Sequence, residues 1–175
     1  MSDEKTRRKR ISLNEGDLFE LVVPDGRLGY GIIVKRGILK NGGAPYIAIF
    51  GSVHAGRPDP NWVVRDDVAL AGWTLDSLFY HGHWNVIARS LPLPSIPFPN
   101  FKVEQDGRIY VTDVTGAFVG EASQAEIELL DYQFSRTPLL FQDAFEALHG
   151  FQTWNQTHDK LTPAYSKVRA TRLGQ

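Results

Sequence analysis

The chain contains no cysteine. That absence removes disulfide staples, Cys-ligated zinc and thiol nucleophiles together, so any chemistry has to come from histidines, carboxylates or hydroxyls. No run approaches the roughly 18 apolar residues that a membrane span needs. The first ten residues, MSDEKTRRKR, are too charged for a secretory signal. A cytoplasmic location without membrane contact is therefore expected. The common catalytic signatures are missing too: there is no Gly-rich phosphate loop of the required spacing, no G-x-S-x-G elbow and no H-E-x-x-H. No internal repeat is evident. What remains is a chain of 175 residues with 19 Lys+Arg, 20 Asp+Glu and 42% hydrophobic residues, the composition of one ordinary globular domain.

Charge is unevenly placed. Residues 1–12 hold five basic and two acidic side chains, and residues 151–175 hold four basic and one acidic. The body, 13–150, carries 10 basic against 17 acidic groups, a net of −7. A nucleic-acid binder concentrates positive charge on its folded face, because phosphate neutralisation supplies most of its affinity. The acidic body disfavours that partner, although Arg7, Arg8, Lys9 and Arg10 could form a basic arm.

Strand signals dominate the first two thirds. Residues 17–23, DLFELVV, run into the turn Pro24-Asp25-Gly26-Arg27 and return as 28–35, LGYGIIVK, which reads as a hairpin. The glycines on either side of Tyr30 suggest a bulge or a strongly bent strand. A second turn at Lys40-Asn41-Gly42-Gly43 precedes a strand at 46–50, a loop spans 54–61, and short strands are expected at 62–65 and 84–89. Four prolines within 91–99 forbid regular pairing. An ordered spacer over the sheet edge is preferred there to a PxxP ligand at Pro94-Ser95-Ile96-Pro97. Asp106-Gly107 then marks a hairpin between 101–104 and 108–112.

The period changes only after that hairpin. Ser123 with Glu126 forms a capping box that starts a helix over 124–134, and Thr137-Pro138 starts a second helix that Gly150 ends. The second helix turns Leu140, Phe141, Ala144, Phe145 and Leu148 inward. The expected fold is α+β and mainly β: a small, strongly bent or barrel-like antiparallel sheet followed by two C-terminal helices. Its parts are a basic flexible arm at 1–12, a single domain at 13–150 (β-rich over 13–120, helical over 121–150) and a partly packed tail at 151–175.

Candidate chemistry is sparse. His81 and His83 have the spacing of two metal ligands on a strand, but no third ligand lies nearby, so a polar turn is preferred to a metal-dependent hydrolase. His54 falls in a loop, and His149 at a helix end suits the negative pole of the helix dipole. No metal, no cofactor and no catalytic residue is assigned, which leaves a binding protein as the expectation.

The order of the motifs carries more. Gly16-Asp17-Leu18-Phe19-Glu20-Leu21, then Pro24-Asp25-Gly26-Arg27, then Gly29-Tyr30-Gly31-Ile32-Ile33-Val34 resembles the bacterial immunity-protein family numbered twenty-six. Gly82-His83-Trp84-Asn85-Val86-Ile87, the prolines and Pro99-Asn100-Phe101-Lys102-Val103 resemble its second half. The resemblance implies a mostly β protein, encoded beside toxins of polymorphic or contact-dependent systems, that binds its cognate toxin and carries no catalytic residues. An acidic body suits a toxin with a basic, nuclease-like active site. Glu128 and Asp131 on the first helix, with Asp143 and Glu146 on the second, are the expected partner-binding carboxylates. The alternative is a small β-barrel module that reads nucleic acid or peptide through the basic arm and Tyr30, Tyr46 and Trp62.

Overall fold

Five antiparallel strands form the central sheet, and the hairpin read from the sequence is its middle. In the computed structural model, which describes residues 11–37 and 44–173, β1 (Leu18–Val22) pairs with β2 (Leu28–Lys35) without a break in register. β3 (Tyr46–Phe50) follows; α1 (Pro60–Val63) then precedes β4 (Val68–Trp73). α2 (Ser77–Tyr80) leads to β5 (Asn85–Ala88), which returns to the far side of β1, giving the order β4-β3-β2-β1-β5. The basic run 7–10 and the turn 40–43 lie outside the described residues.

A second sheet, ordered β6-β7-β8, contains β6 (Phe101–Gln105), β7 (Arg108–Thr112) and β8 (Phe118–Glu121). Its first turn has φ of +51° at Asp106 and +74° at Gly107. Both central residues are left-handed, as a two-residue hairpin loop that follows the strand twist requires.

No barrel forms among the described residues, because both faces of the central sheet are already covered. Every residue of β3 is buried, the pattern of a strand enclosed on two sides. On one face Phe19, Leu21, Ile33, Ile47 and Ile49 pack under Phe141, Ala144 and Phe145 of α4 (Pro138–Leu148). On the other face Leu18, Tyr30, Ile32, Tyr46 and Phe50 lie beneath Val63 and the proline-rich crossing, which contributes Leu91, Ile96 and Phe98. The crossing thus spans a sheet face rather than an edge.

The glycines beside Tyr30 are not a bulge. A β-carbon on Gly29 would lie 2.3 Å from the Phe145 ring, and one on Gly31 would lie 2.3 Å from the ring of Phe19. They are bare because aromatic rings occupy the space a β-carbon would take.

Several boundaries differ from expectation for local reasons. Residues 62–65 are not a strand: Asp59 accepts a bond from Asn61 N at 2.8 Å and Pro60 opens α1, so a capped turn wins over a short β-branched run. β4, β8 and the short α2 are further elements that the sequence pattern does not predict. α3 (Gln124–Leu129) has the expected capping box but stops at Leu130, whose ψ is 140°. Residues beyond it are drawn into extended pairing, Tyr132 with Lys102 and Arg136 with Thr74, both parallel. The segment 131–136 therefore ties β6 to the end of β4. Leu148 of α4 is exposed, leaving Phe141, Ala144 and Phe145 as its buried face.

Four helices rather than two lie C-terminal to the sheets, since α5 (Gln156–Asp159) and α6 (Pro163–Arg169) follow α4. The stretch from 151 to 173 is partly packed, with His158, Leu161 and Ser166 buried. Leu161 is fully buried and its carbonyl accepts from Ala71 N at 2.7 Å, while Arg172 Nε donates to Glu126 at 2.6 Å. No helix of the described residues is long and apolar enough to cross a membrane.

Glu126 has a consequence for acid stability. Arg172 above all, with the amides of Ser123 and Leu173, outweighs burial and lowers its pKa to about 2. A depressed carboxylate pKa adds stability that is complete above the ordinary value of 4.5 and disappears as the pH falls towards about 2. Stability measured from pH 6 down to pH 2 should fall across that window in the wild type. Glu126→Gln should be less stable at pH 6 by about 3 kcal/mol, the typical cost of removing one member of a buried pair, with a flatter profile below pH 4.5. Parallel profiles for the two proteins would refute the assignment.

Candidate binding groove

The second sheet, the extended segment 131–136 and the end of β4 enclose a groove of about 500 Å³ whose walls include Trp73, Lys102, Phe118, Tyr132 and Phe134. Its aromatic rim is open to solvent: Phe118 is 58% exposed, Tyr132 51% and Phe134 54%. Apolar groups clustered on an open surface generally mark a place where something binds. Two cations are stacked on the rim, Lys102 Nζ 5.1 Å from the Tyr132 ring centre and Arg136 Cζ 4.6 Å from that of Phe134.

Trp73, Tyr132 and Phe134 also wall a smaller cavity of about 40 Å³ on the side of α6, together with Arg136, Lys160 and Arg169. Asp131 is the carboxylate there, and it is engaged internally. Lys160 Nζ donates to it at 3.1 Å and Tyr165 OH at 2.5 Å. Burial pushes the Asp131 pKa up, but the bonds from Tyr165 and Lys160 prevail and hold it below the ordinary value. Burial, and then Asp131, pushes Tyr165 up to about 12. Burial also lowers the pKa of Arg136, partly offset by the field of Asp131.

The four carboxylates read from the sequence do not form one array along two helices. Glu128 is exposed on α3 and accepts from Gln124 at 2.9 Å. Asp131 lies beyond the end of α3, so the helical spacing assumed for that pair is lost. Asp143 and Glu146 do sit together on α4, where Gln152 Nε2 bridges them at 3.2 and 2.6 Å. Gln142 Nε2 donates to Glu146 at 2.9 Å and to Val22 O at 2.9 Å, and its Oε1 accepts from Trp84 Nε1 at 2.9 Å.

Other candidates resolve into structure. His81 is the C-terminal cap of α2, and both His81 and His83 are exposed. Among the described residues, no three His, Asp or Glu side chains are grouped as a metal site. His149 caps α4, but burial lowers its pKa and it packs against Phe145 at 4.7 Å, so a charge–dipole role is not what places it. Tyr30 and Tyr46 are core residues, and only Trp62 of the three proposed reading aromatics is exposed. The loop 54–61 is pinned by Arg57, which donates to the buried Glu20 at 2.8 and 3.0 Å. That geometry leaves little of a nucleic-acid reading surface.

Comparison with known proteins bears on the framework more than on the groove. The family model of Immunity protein 26 matches residues 14–107, more than half of the chain. The protein belongs to that family. Its members are immunity proteins of polymorphic toxin systems, a family that is generally non-catalytic. No curated protein and no solved structure matches the chain significantly. Within the Immunity protein 26 region the motif residues are structural. Asp17 is buried, accepts from Asn14 N at 3.0 Å and from Arg89 Nη1 at 2.7 Å, and so locks the start of β1 to the end of β5. Trp84 stacks on Phe19 with ring centres 5.0 Å apart in the core. Phe118, Tyr132 and Phe134 lie beyond the matched region, whereas Trp73 and Lys102 of the same groove lie within it. Sequence reasoning missed them because no local period marks them as a surface.

Proposed function

We propose that this protein binds and neutralises a cognate bacterial toxin by direct contact, with no catalysis of its own, and that the toxin has a basic, nuclease-type active site. Membership of an immunity-protein family supports a toxin as partner, and the exposed aromatic groove is the observation that carries direct binding. Aromatic and arginine side chains that a partner buries at the centre of its contact dominate interface energies. The net charge of −7 on the body favours a basic partner at long range. Glu128, Asp143 and Glu146 contribute to that field on exposed or half-buried flanks, and Asp131 contributes from its internal pair.

Co-expression with the toxin encoded by the adjacent gene tests the reading: growth should be restored by this chain and by no unrelated immunity protein. Reversing Asp143 and Glu146 to Lys should slow association roughly tenfold at low salt, with the difference shrinking as salt rises. The melting midpoint should fall only slightly, by the loss of the bonds from Gln142 and Gln152, and should not change with salt as the association rate does. Failure of the wild-type chain to restore growth or to bind would overturn the function. Unaltered association of the doubly reversed variant would remove α4 from the steering field.

A further inference from the structure

We infer that the partner presents a carboxylate beside an apolar side chain, the apolar group entering the groove between Phe118, Tyr132 and Phe134 and the carboxylate pairing with Arg136 at the adjoining cavity. This rests on the toxin-binding reading and specifies what the toxin offers. The Arg136 guanidinium is half-buried, yet among the described residues it makes no hydrogen bond and no ion pair. Its guanidinium carbon lies 4.6 Å from the centre of the Phe134 ring, which places beside that ring a fork of donors that fits two carboxylate oxygens. Positive charge gathers here although the body is acidic. Arg136, Lys160 and Arg169 face one carboxylate, Asp131, already occupied by Lys160 and Tyr165.

Three residues that line the cavity carry a buried polar atom without a partner: the Tyr46 hydroxyl, Trp73 Nε1 and Arg169 Nε, of which the last two can only donate. Trp73 is only 5% exposed. Buried donors are normally satisfied, so an excess of them beside an unpaired cation points to an anionic acceptor that arrives with the ligand. Size selects which anion. At about 40 Å³ the cavity admits a carboxylate head, whereas sites for whole small molecules are on the order of several hundred Å³. The apolar groove beside it requires that the carboxylate come attached to an apolar residue, which a peptide segment provides.

The test uses the full chain and the toxin domain from the adjacent gene. Calorimetric titration should show that Arg136→Gln weakens binding at least tenfold and Phe134→Ala weakens it comparably, with both melting midpoints near that of the wild type. Arg136→Lys supplies an amine at the same place and keeps the charge if the glutamine variant fails to fold. Zero-length carbodiimide coupling of that amine in the complex, followed by peptide mapping, should join it to the toxin. Coupling to an internal Asp or Glu identifies a side-chain carboxylate, and coupling to the last residue identifies the chain terminus. Wild-type affinity in Arg136→Gln, or coupling confined to Asp131, would overturn the inference while leaving toxin binding intact. Absence of binding by the wild-type chain would overturn both.

Discussion

Deleting residues 151–175 is expected to abolish cooperative folding, the largest effect anticipated for any change in this protein. The segment carries Leu161, fully buried in the same cluster as Phe141 and Phe145, and His158 and Ser166, which are also buried. Losing Leu161 alone forfeits roughly 1.5–3 kcal/mol of apolar burial. The deletion also leaves Ala71 N without the Leu161 carbonyl and strips Glu126 of the Arg172 guanidinium and the Leu173 amide. An unpaired buried carboxylate costs about 3 kcal/mol or more. Set against a typical total of about 5–15 kcal/mol, these losses together reach the threshold. Circular dichroism with a urea titration decides: the truncated chain should show no sigmoidal transition, and Arg172→Ala alone should lower the midpoint measurably. A truncated chain that melts like the full one would show the helices α5 and α6 to be dispensable.

The second large effect is expected at Gly29. An added β-carbon would sit 2.3 Å from the Phe145 ring, too close for any real contact, and that ring is fully buried in the core. Overpacking of this kind costs about 3 kcal/mol because neither the strand nor α4 can retreat without losing other contacts. Gly29→Ala should therefore lower stability by about that amount, and Gly31→Ala should do likewise against Phe19. Combining Gly29→Ala with Phe145→Leu should cost less than the sum of the two single changes, since a smaller side chain makes room for the methyl. Strict additivity in that cycle, or a Gly29→Ala protein within about 0.5 kcal/mol of the wild type, would mean that the glycine is not there for the ring.

The local devices of this fold are legible in the residues that make them. Pro24 to Arg27, Asp106-Gly107 and the Ser123 and Glu126 capping box each set a turn or a helix start through bonds made within a few residues, while Pro138 opens α4 by its fixed φ, the Thr137 side chain making no capping bond. The family resemblance is legible for a related reason. Its motif residues Asp17 and Trp84 hold the framework together at positions where few other side chains would do. Tertiary structure decided the rest. Gly29 and Gly31 read as a bend until Phe145 and Phe19 are seen lying on them. Residues 130–134 read as helix until Lys102 of β6 offers Tyr132 an extended partner, with Arg136 pairing to Thr74 just beyond. The binding groove depends on Trp73, Phe118, Tyr132 and Phe134, which come from three separate stretches of chain. In sequence each is one more apolar residue. Whether it ends in a core or on an open rim depends on which surfaces remain after the two sheets have packed, and that is a property of distant contacts that no local pattern encodes.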